Sequence, residues 1–225
     1  DDCFNVDGDH MAAICEGILE RDINVQWYYQ GRADLVVKHK ELLPLLHRAG
    51  NRMVQLGIEA SNDAQRERLN KKLETGVAEQ AVRLLKEHDI VCQGMLICGL
   101  PDDSPETFDE KVRMATRLDI DFPVFLVYTL FPGAPDFDRA VEEGVLELPA
   151  NYSHHDMAHV LMPTEHMSVQ QVYNYLRWAW LTTSLDPVRL TKSLLSSNPW
   201  RRSNWGGMLR YIARQTARNI IPRFR

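Results

Sequence analysis

Helix-like and strand-like stretches alternate four times between Gly8 and Pro135, and this alternation limits the fold more than any other feature. "DHMAAICEGILERD" places Met11, Ile14, Ile18 and Leu19 on one helical face, with Asp9 as the expected N-cap. "NVQWYYQGR" is aromatic and β-branched, and reads as a strand ending near Arg32. "HKELLPLLHRAGN" is a short helix stopped at Gly50. "RMVQLGIEAS" is a strand, followed by helical "DAQRERLNKKLE" and "VAEQAVRLLKEHD". "IVCQGMLICGLPDD" is a strand with a Gly-Leu-Pro stop. A helix capped by Ser104, with Pro105 in its first turn, then leads to strand "FPVFLVYTLFPGAP". Strands separated by helices of this length make βαβ units, so the sheet is expected to be parallel with right-handed connections. The first helix has no strand ahead of it, and "DDCF" is the expected remnant of one.

The strand phases point to a site. Parallel strands covered on both faces read as continuous apolar runs. Here Val54, Leu56 and Ile58 alternate with Gln55, Gly57 and Glu59, and Gln26, Tyr28, Gln30 and Arg32 share one phase. The apolar phase suits outer helices. The polar phase then lines the interior of a closed or partly closed α/β barrel, whose chemistry lies at C-terminal strand ends. Arg32, Glu59 and Gly99–Pro101 stand at such ends; an ion pair between Arg32 and Glu59 is the structural alternative. No lysine stands at a predicted strand end, which argues against Schiff-base chemistry.

Charge divides the chain. Residues 187–225 contain nine Lys or Arg and no Asp or Glu, so a net charge of −5 becomes −14 for residues 1–186. "SNWGGMLRYIARQTARNI" sets Arg210, Arg214 and Arg218 opposite Trp205, Leu209, Ile212 and Ile220. That pattern fits an amphipathic helix on an anionic membrane surface, with Trp178, Trp180 and Trp200 as aromatic anchors, or a helix packed on the acidic body. No nucleic-acid recognition motif accompanies it. In "HHDMAHVLMPTEH", His155 and His159 are spaced for a shared metal on a helix, but Pro163 favours an extended linker. Cys3, Cys15, Cys92 and Cys98 form no CxxC pair, so a reducing, cytoplasmic setting is expected, with peripheral association at the inner membrane face. Cys92 and Cys98 fall in the helix-facing phase and are expected in the core.

Five blocks, "DDCF", "QGRADL", "LGIEAS", "ICGLPDDSPETF" and "YTLFPGAPDF", occur in the order and spacing of the radical SAM superfamily. They most resemble its cobalamin-binding class, the group of the anaerobic magnesium-protoporphyrin monomethyl ester cyclase and hopanoid-modifying enzymes. The resemblance covers residues 1–145, read as the C-terminal part of a partial (β/α) barrel. Residues 146–225 are read as a linker and a mainly helical C-terminal region.

The resemblance implies a cluster-binding CxxxCxxC and, where present, a cobalamin domain upstream of "DDCF". The four cysteines here, at gaps of 11, 76 and 5 residues, cannot replace that motif. The chain alone is therefore expected neither to hold a [4Fe–4S] cluster nor to perform radical chemistry. In the family, a reduced cluster cleaves S-adenosylmethionine, and the resulting 5′-deoxyadenosyl radical abstracts hydrogen from substrate. The resemblance assigns Arg32 to the methionyl carboxylate, Glu59 and Ser61 to the ribose hydroxyls or amine, and Ile97, Gly99, Leu100 and Pro101 to adenine. It places Asp2, Phe4, Tyr28 and Tyr128 on the substrate side. It implies an apolar or tetrapyrrole-like substrate, to be methylated, cyclised or oxidised, and a reductant such as ferredoxin or flavodoxin. Ala60 follows "GIE" where Ser or Gly is frequent. Asp102 replaces a frequent glycine, which bears on that loop's left-handed turn. A non-catalytic binding or membrane-docking module is the alternative reading.

Overall fold

The computed structural model describes residues 3–59, 76–146, 148, 151–203 and 206. A four-stranded parallel sheet in the order β1-β2-β3-β4 forms the centre: β1 Trp27–Gly31, β2 Asn51–Glu59, β3 Val91–Cys98 and β4 Phe122–Val127. The helices between them are α1 Gly8–Glu20 ahead of β1, α2 Ala33–Lys38 and α3 Leu43–Arg48 before β2, α4 Val77–Glu87 before β3, and α5 Pro105–Arg117 before β4. Helices α6 Pro135–Glu142, α7 Val169–Ser184 and α8 Pro187–Leu194 follow. The α/β alternation and parallel pairing agree with the sequence reading.

Local chemistry accounts for most boundaries. Asp7, not Asp9, caps α1: its carboxylate accepts from the Asp9 and His10 amides, and Asp9 already lies in the first turn. Ser104 and Thr107 form a reciprocal capping box on α5, with Pro105 in its first turn. Gly50 closes the α3 corner at φ 93°, and a Cβ there would lie 1.9 Å from the Val25 carbonyl oxygen. Only glycine satisfies both demands. The fourth strand ends at Val127 rather than running through Pro132, and the chain turns away after Tyr128 donates to the Cys98 carbonyl at 2.7 Å.

The main core lies between the sheet and helices α1–α5. Val54, Leu56, Ile58, Cys92 and Leu96 project into it, with Met11, Cys15, Leu46, Leu85 and Ile120 from the covering segments. Cys92 and Cys98 are fully buried, as their phase predicts. The ring of Phe4 packs on Trp27 and Tyr29, at centroid distances of 5.4 and 5.2 Å. It therefore joins the covered side and is not brought to the substrate side that the family resemblance implies.

Segment 198–203 seals the N-terminal ends of the strands. Trp200 packs against Met53, Val91 and Phe122 and donates its indole N–H to Gln26. Arg201 bridges Asp121 and Asp89 at 2.9 and 3.1 Å, and Asn198 donates to the Asp89 carbonyl. Arg189 and Lys192 are likewise engaged with the body: Arg189 donates to the Ala115 and Thr183 carbonyls, and Lys192 pairs with Asp119. Trp200 is thus a floor residue rather than a membrane anchor. The amphipathic stretch Trp205–Ile220, apart from Gly206, lies outside the described residues.

Candidate functional site at the C-terminal strand ends

Because the four strands run parallel, Arg32, Glu59, Gly99 and Tyr128 lie along one end of the sheet, opposite the Trp200 floor. The face that no helix covers among the described residues leads to this end. Across it, Gln30, Gln55 and Gln93 occupy one register on three adjacent strands. Gln55 donates to Gln93 at 2.5 Å, while its own Oε1 is buried without a hydrogen-bond partner. A buried acceptor left open is uncommon. Met95, Ile97, Val124 and Leu126 continue this face as half-buried apolar side chains.

Arg32 caps the start of α2 and is solvent-facing, its side chain 63% exposed. Its guanidinium forks onto Asp34, with Nε and Nη2 bonds of 3.1 and 2.8 Å. This hydrogen bond raises the arginine's pKa and lowers that of the aspartate. A carboxylate ligand would have to displace Asp34, or share the fork with it. The backbone of Arg32 is fixed by a residue that periodicity did not single out. Fully buried Asn5 donates to the Arg32 carbonyl and accepts from its amide, each at 3.0 Å. A Cβ on Gly31 would lie 2.8 Å from the Asn5 Oδ1, so glycine is required beside this clamp.

The loop after β3 is organised by Asp103, also missed in the sequence. Its carboxylate accepts from the Gly99 and Leu100 amides at 2.8 and 3.2 Å and from Thr107 Oγ1 at 2.7 Å. It pairs with Lys111 Nζ at 2.5 and 2.6 Å, both side chains being completely buried. Such a pair is strained by desolvation unless its remaining hydrogen-bonding capacity is met, as it is here. The left-handed residue of the turn is Gly99, at φ 78°, so Asp102 does not have to supply it. From the other side, Thr164 donates to the Asp103 carbonyl and Glu165 to the Pro101 carbonyl. The Gly99–Pro101 backbone is thus held between α5 and the linker.

Of the adenine set, Ile97 lies on the open face, whereas Leu100 is fully buried and Gly99 has its amide committed to Asp103. Tyr28 lies on the open face, whereas Tyr128, just past the end of β4, packs beside Leu130 and Phe137. Tyr28 is exposed near Trp200, toward the floor, and Tyr128 donates to Asp136 at the other end. Glu59 ends β2, while Asp2, Ser61 and Ala60 lie outside the described residues.

Three of the four cysteines are buried, and Cys3 is half-exposed. Burial pushes the thiol pKa of Cys15 up to about 11 and that of Cys98 to about 12, and raises Cys92 as well. All three sit in the core, away from the open face. Among the described residues no three His, Cys, Asp or Glu side chains are grouped to hold a metal ion. In the linker, His159 instead pairs with Asp156 at 2.9 Å and stacks on His154, while His155 contacts the Leu130 carbonyl.

No family model matches the sequence. Relatives and solved structures do. The chain is 33% identical over 81% of its length to the anaerobic magnesium-protoporphyrin IX monomethyl ester cyclase of Cereibacter sphaeroides, covering 26% of that protein. It is 32% identical over 53% of its length to the cyclase of the same name from Rubrivivax gelatinosus, covering 21% of it. Its fold matches the radical S-adenosylmethionine methyltransferase TsrM from Kitasatospora setae, solved with tryptophan and a S-adenosylmethionine analogue. The TM-score is 0.59, at 18% identity, over 96% of this chain and 52% of TsrM.

The chain is a relative of the cobalamin-class radical SAM enzymes. It spans about a quarter or less of these two cyclases and about half of TsrM. The likeness to TsrM is one of fold.

Proposed function

We propose that this chain is the part of a radical SAM enzyme that lines one side of the S-adenosylmethionine and substrate chamber. The observation that supports this most is the polar and half-buried open face, which leads to strand ends carrying the family blocks in order. S-adenosylmethionine, when bound, supplies the methyl group or the radical for the reaction. Ile97 packs on its adenine against a loop whose backbone Asp103 has fixed. Arg32, released from Asp34, holds the methionyl carboxylate, and Glu59 with Ser61 accepts from ribose or amine. Tyr128, at the C-terminal strand ends, borders the substrate, an apolar or tetrapyrrole-like molecule that is methylated, cyclised or oxidised, while Tyr28 lies on the same face toward the floor. A one-electron donor such as ferredoxin or flavodoxin serves the complete enzyme. The core cysteines supply no cluster ligands in this reading, and cobalamin would be held outside this chain. Residues 1–145 act as the barrel portion and 146–225 as a helical region, with the basic segment against an anionic membrane surface on the cytoplasmic side.

The test has two arms. Anaerobic reconstitution of the chain with iron and sulfide is expected to give no stoichiometric [4Fe–4S] signal; a defined one would contradict the assignment of the cysteines. In the polypeptide encoded by the complete reading frame, Glu59→Ala is expected to weaken S-adenosylmethionine binding by about tenfold or more, as loss of a charge-assisted partner costs about 1.5–3 kcal/mol. Unchanged binding would remove Glu59 from the site.

A further inference from the structure

We infer that Thr164, in the segment that joins the sheet to α7, is a positioning residue for S-adenosylmethionine: its hydroxyl holds the loop after β3 in the form that receives adenine. This role rests on the chamber reading proposed above. Thr164 lies outside all five sequence blocks.

The loop takes its shape from bonds within itself. The Asp103 carboxylate gathers the Gly99 and Leu100 amides, and the Asp103 amide donates to the Leu100 carbonyl at 2.9 Å. All of these partners lie within five residues, so they set the turn without fixing where it stands over the strand ends. Two further ties do that. Lys111 holds the Asp103 carboxylate from α5. From the other side, Thr164 Oγ1 donates to the Asp103 carbonyl at 2.7 Å across 61 residues of sequence, and the Glu165 amide donates to the Pro101 carbonyl at 2.7 Å.

Thr164 is itself well placed to hold. Its hydroxyl accepts from the His166 and Met167 amides at 3.2 and 2.9 Å, and its own amide donates to the Met167 carbonyl. One donor and both lone pairs of the hydroxyl are therefore in use. Met167 is buried with Cys98, Val127 and Val172, so the turn is anchored in the same core as the end of β3. The segment also reaches the end of β4, where the Val127 amide donates to the Met157 carbonyl at 2.8 Å.

The consequence for the ligand follows from spacing. Ile97, the residue assigned to adenine on the open face, stands two positions before Gly99. A loop that swings moves the wall on which adenine rests. The Thr164 side chain is half-buried, and valine matches its shape, so Thr164→Val removes the hydroxyl with little loss of packing.

The test compares wild type, Thr164→Val and Thr164→Ser in the polypeptide encoded by the complete reading frame. Hydrogen exchange read by mass spectrometry is expected to quicken about tenfold in peptides covering residues 98–103 of Thr164→Val, with β2 peptides and the melting temperature close to wild type. Thr164→Ser is expected to restore slow exchange. By calorimetry, the dissociation constant of S-adenosylmethionine is expected to rise about three- to tenfold in Thr164→Val, the worth of one hydrogen bond, and to recover in Thr164→Ser. Faster exchange throughout the sheet, or failure of Thr164→Val to fold, overturns a role confined to the loop. Faster exchange in the loop with unchanged affinity also overturns the positioning role and leaves Thr164 as a brace only. Unchanged exchange in Thr164→Val overturns the brace itself. A wild type that binds no S-adenosylmethionine brings down the chamber reading, and with it the ligand named here, whichever way the loop responds.

Discussion

On one face of the sheet, Val54, Leu56, Cys92, Leu96 and Cys98 are fully buried beneath the helices. On the other, Gln30, Gln55, Gln93, Met95 and Ile97 are at most half-buried, and one glutamine oxygen is enclosed without a partner. Parallel sheets are normally covered on both sides. The difference shows two environments: a dry helix-packed layer and a partly open face that mixes glutamines with apolar side chains. The two ends of the strands differ in the same sense. The N-terminal ends are tied by Arg201, Asp89, Asp121 and Trp200, whereas the C-terminal ends present loops fixed from behind by Asn5 and Asp103.

The largest expected effect breaks the loop support. Lys111→Met leaves Asp103 buried without its cation and is expected to cost about 3–5 kcal/mol in denaturant unfolding. A cost below about 1 kcal/mol would mean that the pair does not anchor the loop. Next, Leu96→Ala on the covered face is expected to cost about 2–5 kcal/mol. Its neighbour on the open face, Ile97→Ala, should cost distinctly less, under about 2 kcal/mol, because its side chain is only half-buried. Equal losses at the two positions would erase the distinction between the faces.

Thiol labelling at pH 8 sharpens it further. Cys3, half-exposed, should react, while Cys15, Cys92 and Cys98 stay protected until the chain unfolds, since burial both shields and raises them. Rapid native labelling of Cys92 or Cys98 would show that the covered face opens. The smallest effect lies in the exposed linker. Hydrogen bonds from His159 and the Ala158 amide lower Asp156 to about 2. A depressed carboxylate adds stability that is complete above its unfolded pKa and is lost as pH falls through the folded value. The Asp156 carboxyl should therefore titrate by NMR near pH 2, and its midpoint should rise toward the usual range in His159→Ala.

Much of this was legible in the sequence. Alternating Val54-Gln55-Leu56 set the two faces, and the Ser104-Pro105 cap and Gly50 stop set helix limits, because each depends on contacts within a few residues. Asn5, Asp103 and Arg201 were not legible as they act. The Asn5 partner lies 27 residues away and the Arg201 partners 80 and 112, beyond any periodic signal. Asp103 was quoted within a motif, but nothing in the motif disclosed that Lys111, two turns into α5, would be buried with it. Phe4 misled because an aromatic residue near a strand end suits a ligand wall and a core equally, and Trp27 with Tyr29 claimed it for the core.

The central claim is that the open face binds S-adenosylmethionine at the C-terminal strand ends. Calorimetric titration of S-adenosylmethionine into the polypeptide encoded by the complete reading frame, wild type against Ile97→Asp, tests it most directly. The account predicts saturable binding that Ile97→Asp weakens by about tenfold or more in protein that still melts cooperatively above the titration temperature, since a charge beneath adenine is further desolvated in the complex. Binding of equal strength in the two proteins would contradict it.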